Sequence, residues 1–556
     1  MSTFEDIDKV IQANLQQFKK PGALTVRPGY KIRGDWITQD PAIVVTVSEK
    51  RANISPQEVI PPRVGNYSTD VRQATTIQKL RFTDPQKHAN VVATARPEYN
   101  QPEFALERDA QTGQLLKPAP AAPAVTEMAA RPLKPYTPAP GSPLTAVTAK
   151  MSITCHASPD AGWPQLNKFL QGIKQQLTVG MYDFTSAHVL QAVKVGLAGK
   201  QDLSLVLDHP APNPTLDQTD EQTEQALATA LGVPPSTRFQ FAWAAETRDP
   251  KITNGIFPNA YHIKVAVKDH QSFWLSSGNW NDSNQPNIDP FAPGAERSKI
   301  DPIARKSDRD WHVIVEEQKP DLAKTFEAYL QNDLKCALPL QAPQAAAHAA
   351  AAALPPETKS QSPEPPMLST SAPAQYFQPL QITDGEVTVQ PLLTPDTGAG
   401  NYAANILKLI QSATSRLYIQ TQYIHPPHAG TDAPFQALID AVKEKMNKGL
   451  DARIILSEYE ATGGWLEKLQ AAGLDMSKVR IQNGVHNKGF VIDSKVVALG
   501  SQNWSGDGVL RNRDASLIIY HQGAAQYFEK IFLHDWATLA KQKLSSQSKK
   551  PIAATP

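Results

Sequence analysis

Residues His486–Asn503 read HNKGFVIDSKVVALGSQN, and residues His262–Asn279 read HIKVAVKDHQSFWLSSGN. Both stretches carry a His, a Lys two positions on, an Asp five further, and then Ser-x-Asn at identical offsets. The one departure in the shared frame is Ser276, which stands where the second copy has Gly500. In each copy a short alternating run, a turn and a second apolar run lead to the Asn, which is the pattern of a β-hairpin. A period of two puts His262 with Lys264, and His486 with Lys488, on one face of the first strand. An imidazole beside an ammonium, with Ser277 and Asn279 or Ser501 and Asn503 arriving from the next strand, is a face that binds anions and titrates near neutral pH. Two such faces brought together would hold one phosphodiester between two histidines. A single copy would read as an exposed His-Lys pair, and the duplication at matched spacing weighs against that.

Outward from the hairpins, one order of elements occurs twice. The first copy runs through a helix near residues 166–176, strand LTVGMYDF (177–184), helix AHVLQAVKVGLA (187–198), strand LSLVLDH (203–209), a helix over 220–231 and strand RFQFAWA (238–244). After its hairpin come strand WHVIVE (311–316) and a helix over 321–334. The second runs through helix 402–412, strand RLYIQTQY (416–423), helix 434–448, strand ARIILSE (452–458), helix 463–472 and strand VRIQNG (479–484). Strand ASLIIY (515–520) and a helix over 523–542 follow its hairpin. Helices alternating with buried strands predict an α/β fold in which a mixed sheet is flanked by helices, and the repetition predicts duplication. The predicted boundaries are lobe 1 over 148–336, lobe 2 over 377–545 and a tail over 546–556. Pro/Ala-rich linkers, extended and semi-rigid, occupy 114–147 and 337–376. Residues 1–113 read as a small α+β domain, with a docked helix bearing Phe4, Ile7, Ile11, Leu15 and Phe18 and strands ALTVRPGYKIR and AIVVTVSEK. No chemistry is recognisable in that domain.

The repeated spacing is that of the HxKx4Dx6GSxN motif, and over roughly residues 148–545 the chain resembles a two-motif, single-chain member of the phospholipase D superfamily. The first 147 residues lie outside the resemblance. It implies two pseudo-twofold-related lobes with an active site at their interface, and metal-independent cleavage of a phosphodiester. One imidazole would attack phosphorus and become a phosphohistidine; the other would protonate the leaving alkoxide and then activate water. Lys264 and Lys488 would neutralise the equatorial oxygens, Asn279 and Asn503 would donate to them, and Ser277 and Ser501 would add or support hydrogen bonds. The resemblance makes His262 the nucleophile and His486 the acid/base, whereas the residues alone leave the two equivalent. Asp269 and Asp493, seven positions beyond each His, are assigned to support of the fold. Asp310 in SDRDWHVIV and Asp514 in RNRDASLII each follow an Arg and open the strand after a hairpin. A buried carboxylate there could hold an imidazole by its second nitrogen. The resemblance further implies crossed pairing, Asp514 with His262 and Asp310 with His486.

Composition bounds the rest. A chain of 556 residues predicts several domains. With 55 Lys+Arg against 54 Asp+Glu there is no bulk basic field for sequence-independent nucleic-acid binding. Two cysteines, Cys155 and Cys336, are too few for a disulfide framework or a zinc site and read as free thiols. Neither a secretory signal nor an apolar run long enough to span a membrane is apparent, so the expectation is a cytoplasmic protein, with export that needs no cleavable signal left open. A monomer is expected, its lobes forming an intrachain pseudo-dimer, with no cofactor and no metal. Phospholipid head groups are the first substrate choice, with peripheral membrane contact, because charge is near neutral and Trp243, Trp274, Trp280 and Trp504 lie near the motifs as a stacking wall or as core. A nuclease acting on nucleic-acid phosphodiesters is the second choice. An idle scaffold with Pro-rich arms is the third, and the two full His/Lys/Asn sets count against it. His425-Pro-Pro-His428 reads as a loop at the rim, since the prolines forbid a helical metal pair. The polar insertion between Asn284 and Arg309 has no counterpart in lobe 2.

Overall fold

The computed structural model describes residues 4–33, 36–51, 54–88, 102–116, 138–208, 218–245, 255–319, 321–338, 375–396, 398–427, 430–462 and 464–541. The Gly34-Asp35 turn, His428, most of both linkers and the tail fall outside them. The chain divides into two compact units, one built from residues 1–130, 460–476 and 542–556, the other from 131–459 and 477–541.

In the first unit, strands β1 (Ala23–Arg33), β2 (Trp36–Val47), β3 (Arg63–Val64), β4 (Tyr67–Gln73) and β5 (Arg108–Asp109) form a sheet of order β3-β4-β2-β1-β5. Helix Phe4–Ala13 buries Ile7 and Ile11 in a core with Val26, Ile43 and Val45, the docked face that its apolar spacing predicts. Helix Gly464–Ala471 also belongs to this unit, although the sequence reading gave its residues to lobe 2. The reason is electrostatic. Buried Glu467 accepts from Arg27 Nη2 at 2.7 Å, from Arg72 Nη1 at 2.9 Å and from the Tyr30 backbone N–H at 2.9 Å. An α-helical period reports a helix, but it does not report which carboxylate finds its arginines some 440 residues away.

Among its described residues the second unit holds fourteen strands: β6 (Val147–Ser158), β7 (Gln176–Met181), β8 (Asp202–Leu207), β9 (Phe239–Trp243), β10 (Lys264–Lys268), β11 (Ser272–Ser276), β12 (Asp310–Glu317), β13 (Leu380–Thr394), β14 (Arg416–Thr421), β15 (Asp451–Ser457), β16 (Val479–Gln482), β17 (Lys488–Ile492), β18 (Val496–Gly500) and β19 (Asp514–Tyr520). From the centre outward one half runs β6-β12-β11-β10-β7-β8-β9 and the other β13-β19-β18-β17-β14-β15-β16. The order is the same in both. The outer three strands of each half are parallel and the rest antiparallel, so the sheet is mixed as expected. Antiparallel pairing of β6 with β13, from Val147↔Val389 to Cys155↔Leu380, joins the halves into one sheet. Neither of these central strands was read from the sequence. Flanking helices include Asp321–Ala337 and Gln522–Thr538, the last in each lobe. The insertion contains helix Arg297–Ala304. Cys155 is a free, buried cysteine.

Candidate active site

The two hairpins turn through consecutive left-handed residues, Asp269 (φ 54°) with His270 (φ 60°) and Asp493 (φ 52°) with Ser494 (φ 57°). Such pairs close I′-type turns whose twist matches antiparallel strands, and Asp tolerates the conformation. The Asp269 carboxylate accepts backbone N–H groups of Lys174, Gln175 and Gln176 at 2.7–3.1 Å. Asp493 accepts those of Thr414, Ser415 and Arg416 at 2.8 Å. Both acids therefore fasten the chain as it enters β7 and β14, at the turn end of the hairpin.

At the other end of each hairpin, Lys264 opens β10 and Lys488 opens β17, each with its His two residues earlier. His262 Nδ1 lies 2.8 Å from Asp514 Oδ1, and His486 Nδ1 lies 3.0 Å from Asp310 Oδ1. Each imidazole thus meets a carboxylate from the opposite lobe. Asp310 and Asp514 are fully buried, and His262 is 7% exposed. The motif serines turn toward these acids: Ser501 Oγ donates to Asp514 Oδ1 at 2.5 Å and Ser277 Oγ to Asp310 Oδ1 at 2.6 Å. That use of the serines was left undecided by the sequence, because the acceptor sits on a third strand. Lys264 Nζ donates to the His262 carbonyl at 2.5 Å, and Lys488 Nζ lies 3.2 Å from His486 Nε2 and donates to the His486 carbonyl. The carboxamide oxygens of Asn279 and Asn503 are buried with no hydrogen-bond partner, which leaves them uncommitted to the protein.

The two His–Asp pairs differ in electrostatics. Burial, followed by the charges of Lys264 and Lys488, pushes His262 well below the usual imidazole range. Burial likewise raises Asp514, to about 7, against the pull of Lys264. Burial opposes ionisation of Asp310 too, but there the charge and hydrogen bond of His486 hold the carboxyl at about 2. Burial also pushes Lys264 well down.

Neighbours missed by the sequence reading frame the site. The Tyr182 ring packs edge-on to His262 at 4.8 Å, with Lys264 Nζ 5.1 Å from its centroid. The exchange of Gly500 for Ser276 has a local cause. A Cβ at Gly500 would come 1.9 Å from Ser516 Oγ, whereas the corresponding partner of Ser276 is His312, bonded to its hydroxyl at 2.6 Å. Trp274, Trp280 and Trp504 are buried at 0–1% exposure, so they are core and form no stacking wall. His425 stacks on Tyr423 at 4.2 Å. Among the described residues no group of three His, Cys, Asp or Glu is disposed to hold a metal ion, and no helix is long and apolar enough to cross a membrane.

Residues 406–536 match the family model "Cardiolipin synthase, PLD-like domain". Cardiolipin synthase 2 of Staphylococcus epidermidis is 28% identical over 149 residues, which is 25% of this chain and 28% of that one. A cardiolipin synthase of Clostridium perfringens is 26% identical over 165 residues, 28% of this chain and 33% of its own. The chain therefore aligns with only about a third or less of the curated relatives it matches. The solved phosphatidylserine synthase of Haemophilus influenzae Rd KW20 aligns with a TM-score of 0.44 and 13% identity, covering 70% of this chain and 86% of that one.

Proposed function

We propose that this chain, which belongs to the phospholipase D superfamily, cleaves a phospholipid phosphodiester through a covalent phosphohistidine and passes the phosphatidyl group to water or to an alcohol. The observation that carries this reading is the crossed pair of His–Asp contacts at 2.8 and 3.0 Å, each beside a motif lysine. Asp514 accepts a hydrogen bond from His262 Nδ1–H, which leaves Nε2 with its lone pair free for phosphorus. The depressed affinity of His262 for protons favours that neutral form. His486, paired with an acid that stays ionised, is suited to hold the proton that the leaving alkoxide needs. In the first step the Nε2–P bond forms, the P–O bond to the head group breaks, and His486 donates its proton to the departing oxygen. In the second step His486 takes the proton of water or an alcohol, whose oxygen displaces the histidine. Lys264 and Lys488, with the carboxamide N–H groups of Asn279 and Asn503, donate to the phosphoryl oxygens. Negative charge arriving there offsets the burial that weakens the Lys264 ammonium.

Similarity to cardiolipin synthases supports transfer to an alcohol beside hydrolysis, and it supports lipid over nucleic acid as substrate. Parallel assays test this: fluorescent phosphatidylcholine and phosphatidylglycerol vesicles with and without a primary alcohol, and single-stranded DNA, all in EDTA. Lipid turnover with a transfer product is expected. Cleavage of DNA with no lipid turnover would replace the lipid reading with a nuclease, and loss of all turnover in EDTA, restored by a divalent ion, would overturn the mechanism.

A further inference from the structure

The residues directly before the two site acids, Arg309 and Arg513, take no part in the chemistry above, yet they are 5% and 0% exposed. Arg513 Nε and Nη2 donate to Asp333, in the last helix of lobe 1, at 2.9 and 2.6 Å. Its Nη1 donates to the Thr394 carbonyl at 3.1 Å and to Asp396, in its own lobe. Arg309 repeats the scheme. Its Nε and Nη2 donate to Asp535, in the last helix of lobe 2, at 2.9 and 3.2 Å, and its Nη1 donates to the Ser158 carbonyl and to Asp160 at 2.9 and 2.6 Å. The main chain crosses at the same points, with Arg513 N donating to the Ala260 carbonyl at 2.9 Å and His486 N to the Arg309 carbonyl at 3.1 Å.

The helix acids continue toward the histidines. Tyr261, next to His262, donates its hydroxyl to Asp333 at 3.2 Å. Gln420 donates to Asp535 at 2.9 Å and lies 3.4 Å from Asn487, next to His486. Contacts therefore close a ring around each imidazole. One passes through His262, Asp514, Arg513, Asp333 and Tyr261; the other through His486, Asp310, Arg309, Asp535, Gln420 and Asn487. A guanidinium bonded along two edges has its plane fixed, which a lysine ammonium cannot reproduce.

We propose that Arg309 and Arg513 are positioning residues, interlobe latches that set the distance and angle between each histidine and the carboxylate it borrows from the other lobe. This rests on the phosphodiester reading of the site, but the latch has a readout that needs no substrate. A histidine Nδ1–H held on a buried carboxylate gives a distinctive proton and nitrogen resonance, so the full-length protein carrying 15N-histidine reports the His262–Asp514 bond directly. Arg513→Lys is compared with wild type, with Asp333→Asn, and with Arg453→Lys, whose ion pair with Asp451 lies within one lobe. Folding is checked by circular dichroism. Arg513→Lys is expected to lose or shift the His262 Nδ1–H resonance, to lower kcat about 10–100-fold and to move KM by less than about threefold. Asp333→Asn moves both readouts in the same direction and Arg453→Lys moves neither. An unchanged resonance and kcat in folded Arg513→Lys overturns the proposal, as does an equal loss in Arg453→Lys. If Arg513→Lys does not fold, the isosteric Asp333→Asn decides by the same readouts. If the resonance responds while wild type turns over no phosphodiester, the latch stands and the reaction assigned to the site falls.

Discussion

Asp514 Oδ1 meets both His262 Nδ1 and the Ser501 hydroxyl, and that shared oxygen sets the first prediction. The ionised acid accepts the Nδ1–H bond and offsets the imidazolium charge that develops in the reaction, whereas the protonated acid carries no charge to do so. Burial raises Asp514 to about 7, so the accepting form prevails above that pH and is lost below it. Activity should therefore fall as pH drops through about 7, while Asp310, held at about 2, adds no limb in the working range. Asp514→Asn should remove this acid limb and lower kcat by about 10²–10⁴-fold with little change in KM. A pH–rate profile that keeps the limb in Asp514→Asn would assign it to another group. A second prediction separates the histidines: His486→Asn should accumulate phosphohistidine on His262 with a substrate whose leaving group needs no acid, and His262→Asn should accumulate none. Peptide mass spectrometry finding the label on His486 would reverse their roles. At this scale the sequence was informative because chemistry constrains spacing along one strand: His and Lys fall where a period of two must put them, and Asn follows the second strand of the hairpin. The serine contacts and the exchange at Ser276 were opaque, because each depends on what the neighbouring strand presents, Asp310 and His312 in one lobe, Asp514 and Ser516 in the other.

Elements show where local reading stops. The strands around both motifs announce themselves by alternation and β-branched content. Strands β6 and β13 do not: β13 contains Pro391 and a register shift between Ile382 and Gly385, and each pairs with a partner far along the chain. Helix Gly464–Ala471 was legible as a helix and illegible as part of the N-terminal unit. Its anchor gives a third prediction. Burial opposes ionisation of Glu467, but Arg27 and Arg72 hold it at about 2, below its ordinary 4.5. For a depressed carboxyl the stabilisation is complete above 4.5 and is lost as pH falls toward about 2. Glu467→Ala leaves buried Arg27 without its acid, while half-buried Arg72 keeps Asp70 at 2.8 Å, and should destabilise that unit by about 3–5 kcal/mol. Proteolysis within residues 4–116 should become faster, and the acid-induced transition of the unit should lose steepness between 4.5 and about 2. Wild-type proteolysis and an unchanged acid transition in the variant would show that the arginines do not depend on Glu467.

On the scale of the second unit, what joins the halves is more than the chain between them. One sheet runs through the β6·β13 pair, and Trp311 of lobe 1 stacks on Phe528 of lobe 2 at 4.7 Å. Gly489 in β17 is small for the same contact, since a Cβ there would lie 2.3 Å from the Trp311 ring. Each histidine also takes its acid from the other half. Cutting a tether that gives a millimolar effective concentration costs about 4 kcal/mol at micromolar protein. A continuous antiparallel pair, a buried aromatic stack and two buried arginines bonded across the boundary should exceed that. A protease site placed within residues 339–374 should therefore give, after cleavage, two fragments that co-elute at micromolar concentration and keep most of the wild-type turnover. Fragments separated in denaturant and refolded singly should be inactive, because neither contains an imidazole with its acid, and mixing should restore turnover. If the nicked halves part under native conditions, the sheet and the latches hold less than the tether does. If one half alone turns over substrate, the acid from the opposite lobe is dispensable, and the crossed pairing is a packing contact without a part in the reaction.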